Sequence, residues 1–308
     1  MSLPCFACET GVVVRGQCQT DAILSAMPVS PPQLNRFEIL TIIITQSQPV
    51  CVYSASMKLT IIETGRPPEP IARDFPGYPV MIEALLAPHV PNLRCETIAV
   101  IDGDALPQHE DTDAVIITGS PFGVYDPVAW IDPLKAWIRT AASYNVPQVG
   151  ICFGHQLMAE AFGGAARKAP QGWGLGRHAY EVMGCETWMG PKAFGGAQLS
   201  LAVSHQDQVL EAPPGARVLA QSAFTPFAAL IYDHAPAMSF QGHPEFCHTF
   251  ADALIRSRRG TRFPEALADA ALESLQQSLD GDVVAGWIGA FYRHHLQQIA
   301  PTMRAKAA

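Results

Sequence analysis

The sequence predicts an α/β protein with an open, mostly parallel β-sheet that is covered by helices on both faces. From residue 57 onward, strand-like and helix-like segments alternate along the chain, as they do in such folds. The segment 114–118 is almost entirely apolar, which is typical of a strand buried on both faces of a parallel sheet. With 308 residues, of which 48% are hydrophobic, the chain is long enough to bury a large core.

The first seven elements are expected between residues 57 and 164. The apolar run that begins the domain ends at Gly65, which is typical of a strand followed by a turn. The segment 130–143 carries its apolar residues on one helical stripe, which indicates an amphipathic helix. The preceding helix, 78–86, is expected to end before Pro88, and the following helix, 156–162, is expected to end at Gly163. The predicted strands are 58–62, 96–101, 114–118 and 147–151, and the predicted helices are 78–86, 130–143 and 156–162.

The rest of the chain continues with strands and then becomes helical. The predicted strands are 177–182, 217–221, 228–232 and 237–241, and the predicted helices are 249–258, 264–279 and 283–298. The change from alternating strands and helices to helices alone indicates a boundary near residue 260. We expect one α/β domain at 57–260 and a C-terminal helical appendage at 261–308.

Residues 1–56 differ from the rest of the chain. They contain only five charged residues and no lysine, they hold four of the eight cysteines, and Pro28, Pro31 and Pro32 interrupt any periodic pattern. A domain-opening strand follows directly after Met57. We therefore expect 1–56 to be an atypical N-terminal extension, either disordered or placed upstream of a true start at Met57.

Charge and hydropathy exclude several classes of protein. With 20 Lys and Arg against 28 Asp and Glu, the net charge is −8, which argues against a nucleic-acid partner or an anionic membrane surface. The longest apolar run, 39–44, is far too short to span a membrane. No secretory signal is apparent, and eight cysteines in a chain of this length favour free thiols in a reducing, cytoplasmic compartment. A metal site on Cys5, Cys8 and Cys18 lacks a fourth ligand nearby and is disfavoured.

The segment 150–156, Gly-Ile-Cys-Phe-Gly-His-Gln, has the pattern of a nucleophile elbow. It follows an apolar strand and precedes a helix, and glycines stand two residues before and two residues after Cys152. Glycines at these positions permit a sharp strand-to-helix turn that exposes the central side chain. The following helix N-terminus favours a thiolate. We therefore predict that Cys152 is a nucleophile.

A cysteine nucleophile needs a base, and His243 is the best candidate among ten histidines. It lies just after a predicted strand, in an extended segment where residues i and i+2 point to the same side. Glu245 therefore faces the same way and would fix the imidazole tautomer, as the third member of a catalytic triad does.

An oxyanion hole is expected where the third strand ends. A tight turn follows at 118–121, Thr-Gly-Ser-Pro. Such a turn aims backbone N–H groups at a developing negative charge. One donor would be the N–H of Gly119 or Ser120, and the other would be that of Phe153, directly after the nucleophile.

Taken together, these motifs resemble those of class I (triad-type) glutamine amidotransferases, in particular free-standing proteins similar to the glutaminase domain of GMP synthase. The resemblance covers the chain from about residue 57 to about residue 259 and implies a flavodoxin-like fold. Four segments carry it: 118–121, 150–156, 204–209 (Ser-His-Gln-Asp-Gln-Val) and 242–246 (Gly-His-Pro-Glu-Phe). One departure is Ser120, which stands where GMP synthase has a second glycine.

The resemblance implies roles for Cys152 as nucleophile, His243 as acid and base, and Glu245 as the orienting carboxylate. It places Gln156 at the amino-acid end of the substrate, and Ser204 and His205 in a loop that binds the glutamine backbone atoms. The implied reaction is acyl transfer from the side-chain amide of L-glutamine through a γ-glutamyl thioester. No metal or other cofactor is expected for these steps.

Three functions stay open from the sequence. The first is a free-standing amidotransferase that supplies ammonia to a separate synthetase partner. The second is a hydrolase of γ-glutamyl compounds such as glutathione, which would use the same triad because only the leaving amine differs. The third is a catalytically silent regulatory module, against which the complete set of Cys152, His243 and Glu245 argues.

Overall fold

The computed structural model describes residues 57–184, 186–190 and 196–306, with side chains described as far as residue 298. The extension expected at 1–56 lies outside the described residues. The strands are β1 (Lys58–Glu63), β2 (Arg94–Ala99), β3 (Ala114–Ile117), β4 (Gln148–Ile151), β5 (Ala165–Lys168), β6 (Gly174–Val182), β7 (Gln198–His205), β8 (Asp207–Glu211), β9 (Ala216–Gln221), β10 (Ala229–Tyr232) and β11 (Ala237–Phe240). The helices are α1 (Tyr78–Leu86), α2 (Ile131–Ser143), α3 (Phe153–Ala161), α4 (His248–Arg258), α5 (Glu265–Ser274) and α6 (Gly281–Lys306).

Nine strands form one sheet, in the order β2-β1-β3-β4-β11-β10-β9-β6-β7. The first five are parallel to their neighbours, whereas the pairs from β11 to β7 are antiparallel. A separate antiparallel pair joins β5 to β8. The predicted α/β class with a mostly parallel sheet is confirmed, and the parallel half ends with the carboxyl ends of β3, β4 and β11 side by side.

Alternation along the central strands sends side chains to both faces of the sheet. In β1, Leu59 and Ile61 pack into a core that includes Ile82 of α1 and Ile288 of α6. The next residue, Ile62, packs into the opposite core, which is formed with α2 and α3. Because both faces are covered, β3 and β4 are buried throughout, which explains the apolar run that predicted them.

Most element boundaries lie within a few residues of the predicted ones, but β5, β7 and β8 were not predicted. Ser204 and His205, in the motif at 204–209, were expected to lie in a loop. The motif instead spans the end of β7 and the start of β8, because β7 pairs with β6 over eight residues, from Gln198 to His205. The helix predicted at 264–279 ends earlier, at Ser274, whose hydroxyl accepts the backbone N–H of Arg177 at 2.9 Å.

The C-terminal segment, expected to be an appendage, contributes a layer of the fold. Val284 and Ile288 of α6 are fully buried in the core formed with β1 and β3. The Tyr292 hydroxyl donates a hydrogen bond of 2.9 Å to the carbonyl oxygen of Val115, within β3. Among the helices of the described ranges, none has the length and apolar character that crossing a bilayer requires.

Candidate active site

Cys152 occupies a strained turn between β4 and α3. Its backbone angles are φ 53° and ψ −99°, in a region that side-chain-bearing residues rarely adopt. The flanking glycines are needed for close packing. A Cβ on Gly150 would lie 2.5 Å from the backbone of Gly154, and one on Gly154 would overlap the carbonyl oxygen of Ile117. The structure therefore has the strand–turn–helix geometry that the glycine spacing predicts.

The Cys152 thiol is buried at the N-terminal end of α3, where the helix dipole favours negative charge. Cys152 is a free cysteine, as are Cys95 and Cys247 among the described residues. Phe153 is the first residue of the helix, so its N–H has no intrahelical acceptor. The residue predicted to be the nucleophile thus lies at a helix N-terminus, as the sequence predicts.

His243 and Glu245 lie beside the cysteine. The imidazole Nδ1 is 2.8 Å from Glu245 Oε1, and both side chains are buried. The backbone N–H of His243 donates to the carbonyl oxygen of Ala202 at 2.9 Å, which anchors the segment to β7. The ring also stacks on Phe246 with 3.9 Å between the centroids. These contacts fix the position and tautomer of the imidazole.

The electrostatics favour a protonated His243. Burial by itself lowers the pKa of His243. The charges of Glu245 and Cys152, together with hydrogen bonds to both side chains, outweigh burial and raise the pKa of His243 to about 10. The imidazole of His243 is therefore protonated near neutral pH and forms an ion pair with Glu245.

The turn at 118–121 lies against this ion pair. A Cβ on Gly119 would be 2.8 Å from Cε1 of His243 and 3.7 Å from Cβ of Cys152. Buried hydrogen bonds between Thr64 and Thr118 hold the turn in place. Ser120 does not have a positive φ, so a side chain is tolerated at this position.

Backbone N–H groups without an acceptor lie near Cys152 in sequence or in space. Within the described ranges, the N–H groups of Gly119, Ser120 and Phe153 have no hydrogen-bond acceptor. Gly119 and Ser120 line a cavity that also contains Cys152 and His243. The oxyanion hole predicted from the sequence needs such unpaired donors, and its assignment to these residues stays a prediction.

Two cavities meet at Cys152. The larger has a volume of about 210 Å³ and is lined by Gln156, Ser204 and His205, as well as by Lys168 and Arg262. The smaller has a volume of about 40 Å³. It is lined by His243, Ser204, Arg66, Tyr78 and Arg258. A substrate bound at the sulfur would thus have unequal room on its two sides.

The three residues assigned to substrate binding lie in the larger cavity but differ in their contacts. Gln156 Nε2 donates to the carbonyl oxygen of Asp207 at 2.8 Å and to Gln241 Oε1 at 3.2 Å, which leaves its own oxygen free to accept. The Ser204 hydroxyl is buried without a partner among the described residues. His205 instead points Nδ1 at the carbonyl oxygen of Asp207, 3.2 Å away, and Nε2 at Gly174.

His205 and His155 are poor candidates for the base. Burial lowers the pKa of each ring to about 3, so both are neutral. His155 lies beneath the elbow, where its Nδ1 is 2.8 Å from the hydroxyl of Ser239. Within the part of the chain that the structure describes, neither ring contacts a carboxylate, in contrast to His243.

Sequence reasoning missed Gln241, whose Nε2 lies 3.7 Å from Sγ of Cys152. A signal was present, because Gln241 stands two residues before His243, and the alternation argument that paired His243 with Glu245 applies to it as well. In the structure the segment is not extended throughout: the backbone bends at 241–242 and turns at 244–245, where the N–H of Phe246 donates to the carbonyl oxygen of His243 at 3.3 Å. No local pattern indicated Arg258 or Arg262, which reach the site from α4 and from the loop after it. Within the described residues, no group of three or more His, Cys, Asp or Glu side chains is placed to hold a metal ion.

A cysteine at a nucleophile elbow, next to a histidine–carboxylate pair and free backbone N–H groups, defines a cysteine-dependent acyl-transfer enzyme. The family model for class I glutamine amidotransferases matches residues 85–259, more than half of the chain. The chain belongs to the class I glutamine amidotransferase family, so the resemblance seen in the four motifs is confirmed.

Individual relatives agree with this assignment. The chain is 29% identical over 241 residues to a glutamine amidotransferase-like protein of Schizosaccharomyces pombe, covering 74% of this chain and 95% of the relative. It is 34% identical over 156 residues to one of the subunits of the glutamine-hydrolyzing GMP synthase of Saccharolobus solfataricus, covering 48% of this chain and 78% of the relative. A glutamine amidotransferase structure from Methylobacillus flagellatus matches with a TM-score of 0.58 at 20% identity, over 79% of this chain and 95% of that one, which shows the fold.

Proposed function

We propose that this protein hydrolyses the side-chain amide of L-glutamine through a γ-glutamyl thioester on Cys152 and releases ammonia to a separate acceptor enzyme. One observation carries the proposal: the strained Cys152 lies beside the hydrogen-bonded pair of His243 and Glu245, with Nδ1 and Oε1 2.8 Å apart. This arrangement supplies an activated sulfur and a positioned proton donor at the same point.

In the first half of the reaction, the Cys152 thiolate attacks the amide carbon and forms the C–S bond. The negative charge that develops on the oxygen is stabilised by the N–H of Phe153 and by that of Gly119 or Ser120. His243 then donates its proton to the amide nitrogen, the C–N bond breaks and ammonia leaves. Glu245 stabilises the imidazolium before the transfer.

In the second half, water attacks the thioester. The thiolate charge is gone at this stage, and with it one of the interactions that raise the pKa of His243. The neutral imidazole therefore takes a proton from the attacking water. The C–S bond breaks, glutamate leaves, and the ion pair of thiolate and imidazolium is restored.

The unequal cavities favour glutamine as the substrate. The leaving nitrogen must lie on the side of His243, because that ring protonates it. The space there is about 40 Å³, enough for about three water-sized molecules, which suits ammonia. The glutamyl part would occupy the larger cavity, with Gln156, Ser204 and His205 around its amino-acid end.

A separate synthetase is the proposed consumer of the ammonia. The relative from Saccharolobus solfataricus is named as one subunit of a glutamine-hydrolyzing GMP synthase, which supports a division of labour between two chains. We place this chemistry in the cytoplasm, where a reducing environment keeps the Cys152 thiol available.

A second candidate function is hydrolysis of γ-glutamyl compounds whose leaving amine carries a carboxylate. Arg258 favours it, because within the described ranges its half-buried guanidinium has no carboxylate within 4.0 Å and it lines the cavity on the side of His243. A carboxylate on the leaving group would pair with that guanidinium.

The test is the release of ammonia and glutamate by the full chain from L-glutamine, glutathione and a simple γ-glutamyl amide. We expect glutamine to be the best substrate and Cys152→Ala to be inactive on all three. A preference for glutathione would support the second candidate. Retained activity in Cys152→Ala would refute both, and lack of any turnover with no labelling of Cys152 by a glutamine-like electrophile would indicate a regulatory module.

A further inference from the structure

Gln241 is a fully buried side chain that contacts the proposed nucleophile. It follows β11 directly, and its backbone N–H donates to the carbonyl oxygen of Ala228 at 2.8 Å. Its carboxamide Nε2 lies 3.7 Å from Sγ of Cys152. Its Oε1 accepts a hydrogen bond of 3.2 Å from Gln156. The side chain therefore joins the sulfur to the wall of the larger cavity.

Strand pairing sets this contact. β11 runs parallel to β4, and Phe240 is in register with Ile151. The backbone N–H of Cys152 also donates to the carbonyl oxygen of Phe240 at 2.8 Å. Gln241 directly follows β11 and Cys152 directly follows β4, so the two residues must be neighbours. The contact depends on the backbone of the central sheet.

The hydrogen-bond chain determines which end of the Gln241 amide faces the sulfur. The carbonyl oxygen of Asp207 can only accept, so the group of Gln156 that reaches it, 2.8 Å away, is the NH₂. The second N–H of that NH₂ donates to the oxygen of Gln241. The NH₂ of Gln241 must then point at Cys152, where it can only donate.

We propose that Gln241 is a further catalytic residue, whose amide N–H donates to the Cys152 sulfur, stabilises the thiolate and holds it in the orientation for attack. The proposal rests on the proposed function and adds a fourth group to it. Hydrogen bonds to ionised groups are stronger than those to neutral ones, so this donor favours the thiolate over the thiol. Gln156 takes a second role, because it orients the Gln241 amide.

The test replaces Gln241 by methionine, which has a similar length but no N–H. Gln148→Met is the matched control. Gln148 is also a fully buried glutamine, and its amide donates to the carbonyl oxygen of Ile138 at 3.1 Å. It lies at the start of β4, at the opposite end of the strand from Cys152. Two quantities are measured on the full chain: glutamine turnover, and the rate at which iodoacetamide alkylates Cys152 as a function of pH, followed by mass spectrometry of the Cys152 peptide.

For Gln241→Met we expect the pH midpoint of alkylation to rise by about one unit and kcat to fall about tenfold, with KM nearly unchanged. Gln148→Met should match the parent in both quantities, even if it lowers stability. A folded Gln241→Met protein with the parent's midpoint and kcat would overturn the proposal. Alkylation does not require glutaminase activity, so it decides the role of Gln241 even if glutamine proves not to be the substrate.

A second variant covers the case in which Gln241→Met does not fold. Gln241→Glu keeps the size and polarity of the side chain but places a carboxylate next to the sulfur. Like charges disfavour the thiolate, so the midpoint of alkylation should rise above that of the parent. A midpoint at or below that of the parent would overturn the proposal.

Discussion

Backbone strain at a single residue is where this protein departs most from ordinary local structure. Cys152 has φ 53° and ψ −99°, although an unbranched side chain at such angles costs about 1–3 kcal/mol. The rest of the elbow holds it there, since β4 and α3 are both buried on either side. The strain places the sulfur above the carboxyl edge of the sheet, within reach of His243.

The strain predicts a difference in stability between two inactive variants. Glycine adopts a positive φ without steric strain, so Cys152→Gly removes the strain at this residue, whereas Cys152→Ala retains it. We expect the free energy of unfolding in urea to be higher for the glycine variant by about 1–3 kcal/mol. An alanine variant more stable than the glycine variant by about 0.5–1 kcal/mol, the difference expected from chain entropy alone, would show that the turn is not strained.

Glu245 controls the charge of His243, and this predicts a pH effect. His243, with its pKa raised to about 10, loses its proton only as the pH rises through that value. Glu245→Gln removes the carboxylate, so the pKa of His243 falls and the alkaline limb of the kcat/KM profile moves to lower pH. We also expect kcat to fall by about 10²-fold. Glu265→Gln, a change at an exposed carboxylate of α5, should leave the profile unaltered.

At the scale of elements, the elbow depends on how closely α3 approaches the sheet. Gly154 lies in the first turn of α3, and a Cβ at this position would overlap the carbonyl oxygen of Ile117 at the end of β3. The helix N-terminus is thereby brought next to the Thr-Gly-Ser-Pro turn that follows β3. The same contact that packs the helix also gathers the backbone donors around Cys152.

Gly154→Ala should therefore destabilise the protein by about 1–3 kcal/mol or more, because the neighbouring atom is backbone and cannot rotate away. The matched control is Gly184→Ala, at a glycine without a positive φ, where an added Cβ has no heavy atom of the described residues within 4 Å. The midpoints of urea unfolding test the comparison. Equal midpoints for the two variants would mean that α3 can shift without cost.

At the scale of the whole molecule, two fully buried neutral histidines link stability to pH. Burial lowers the pKa of His155 and of His205 to about 3, from an ordinary value near 6.5. Between these values the unfolded chain binds protons that the folded protein does not bind. The stabilisation is complete above about pH 6.5 and is lost as the pH falls toward about 3.

Unfolding free energies measured from about pH 7 to about pH 4 should thus fall with decreasing pH, by up to about 1.4 kcal/mol per unit for each histidine. His155→Gln should make this dependence shallower. His248→Gln, at an exposed histidine of α4, is the control and should leave the slope unchanged. A slope that stays the same in His155→Gln would show that the buried ring does not contribute.

Several features could be predicted from the chain alone because their causes are local. The apolar runs of β1, β3 and β4 and the 3.6-residue stripe of α2 are each patterns within a single segment. The elbow was visible because a sharp turn needs glycines at fixed offsets. His243 and Glu245 were paired by alternation along one extended segment, and the structure places their side chains 2.8 Å apart.

The sequence by itself thus determined the α/β class, the order of most elements and the residues proposed for the chemistry. Only the tertiary structure decided that Gln241 contacts the sulfur, that Arg258 and Arg262 reach the two cavities, and that α6 covers the sheet. These contacts join segments far apart in the chain. They follow from which strands become neighbours and how helices pack on them, and no periodicity within one segment encodes that pairing.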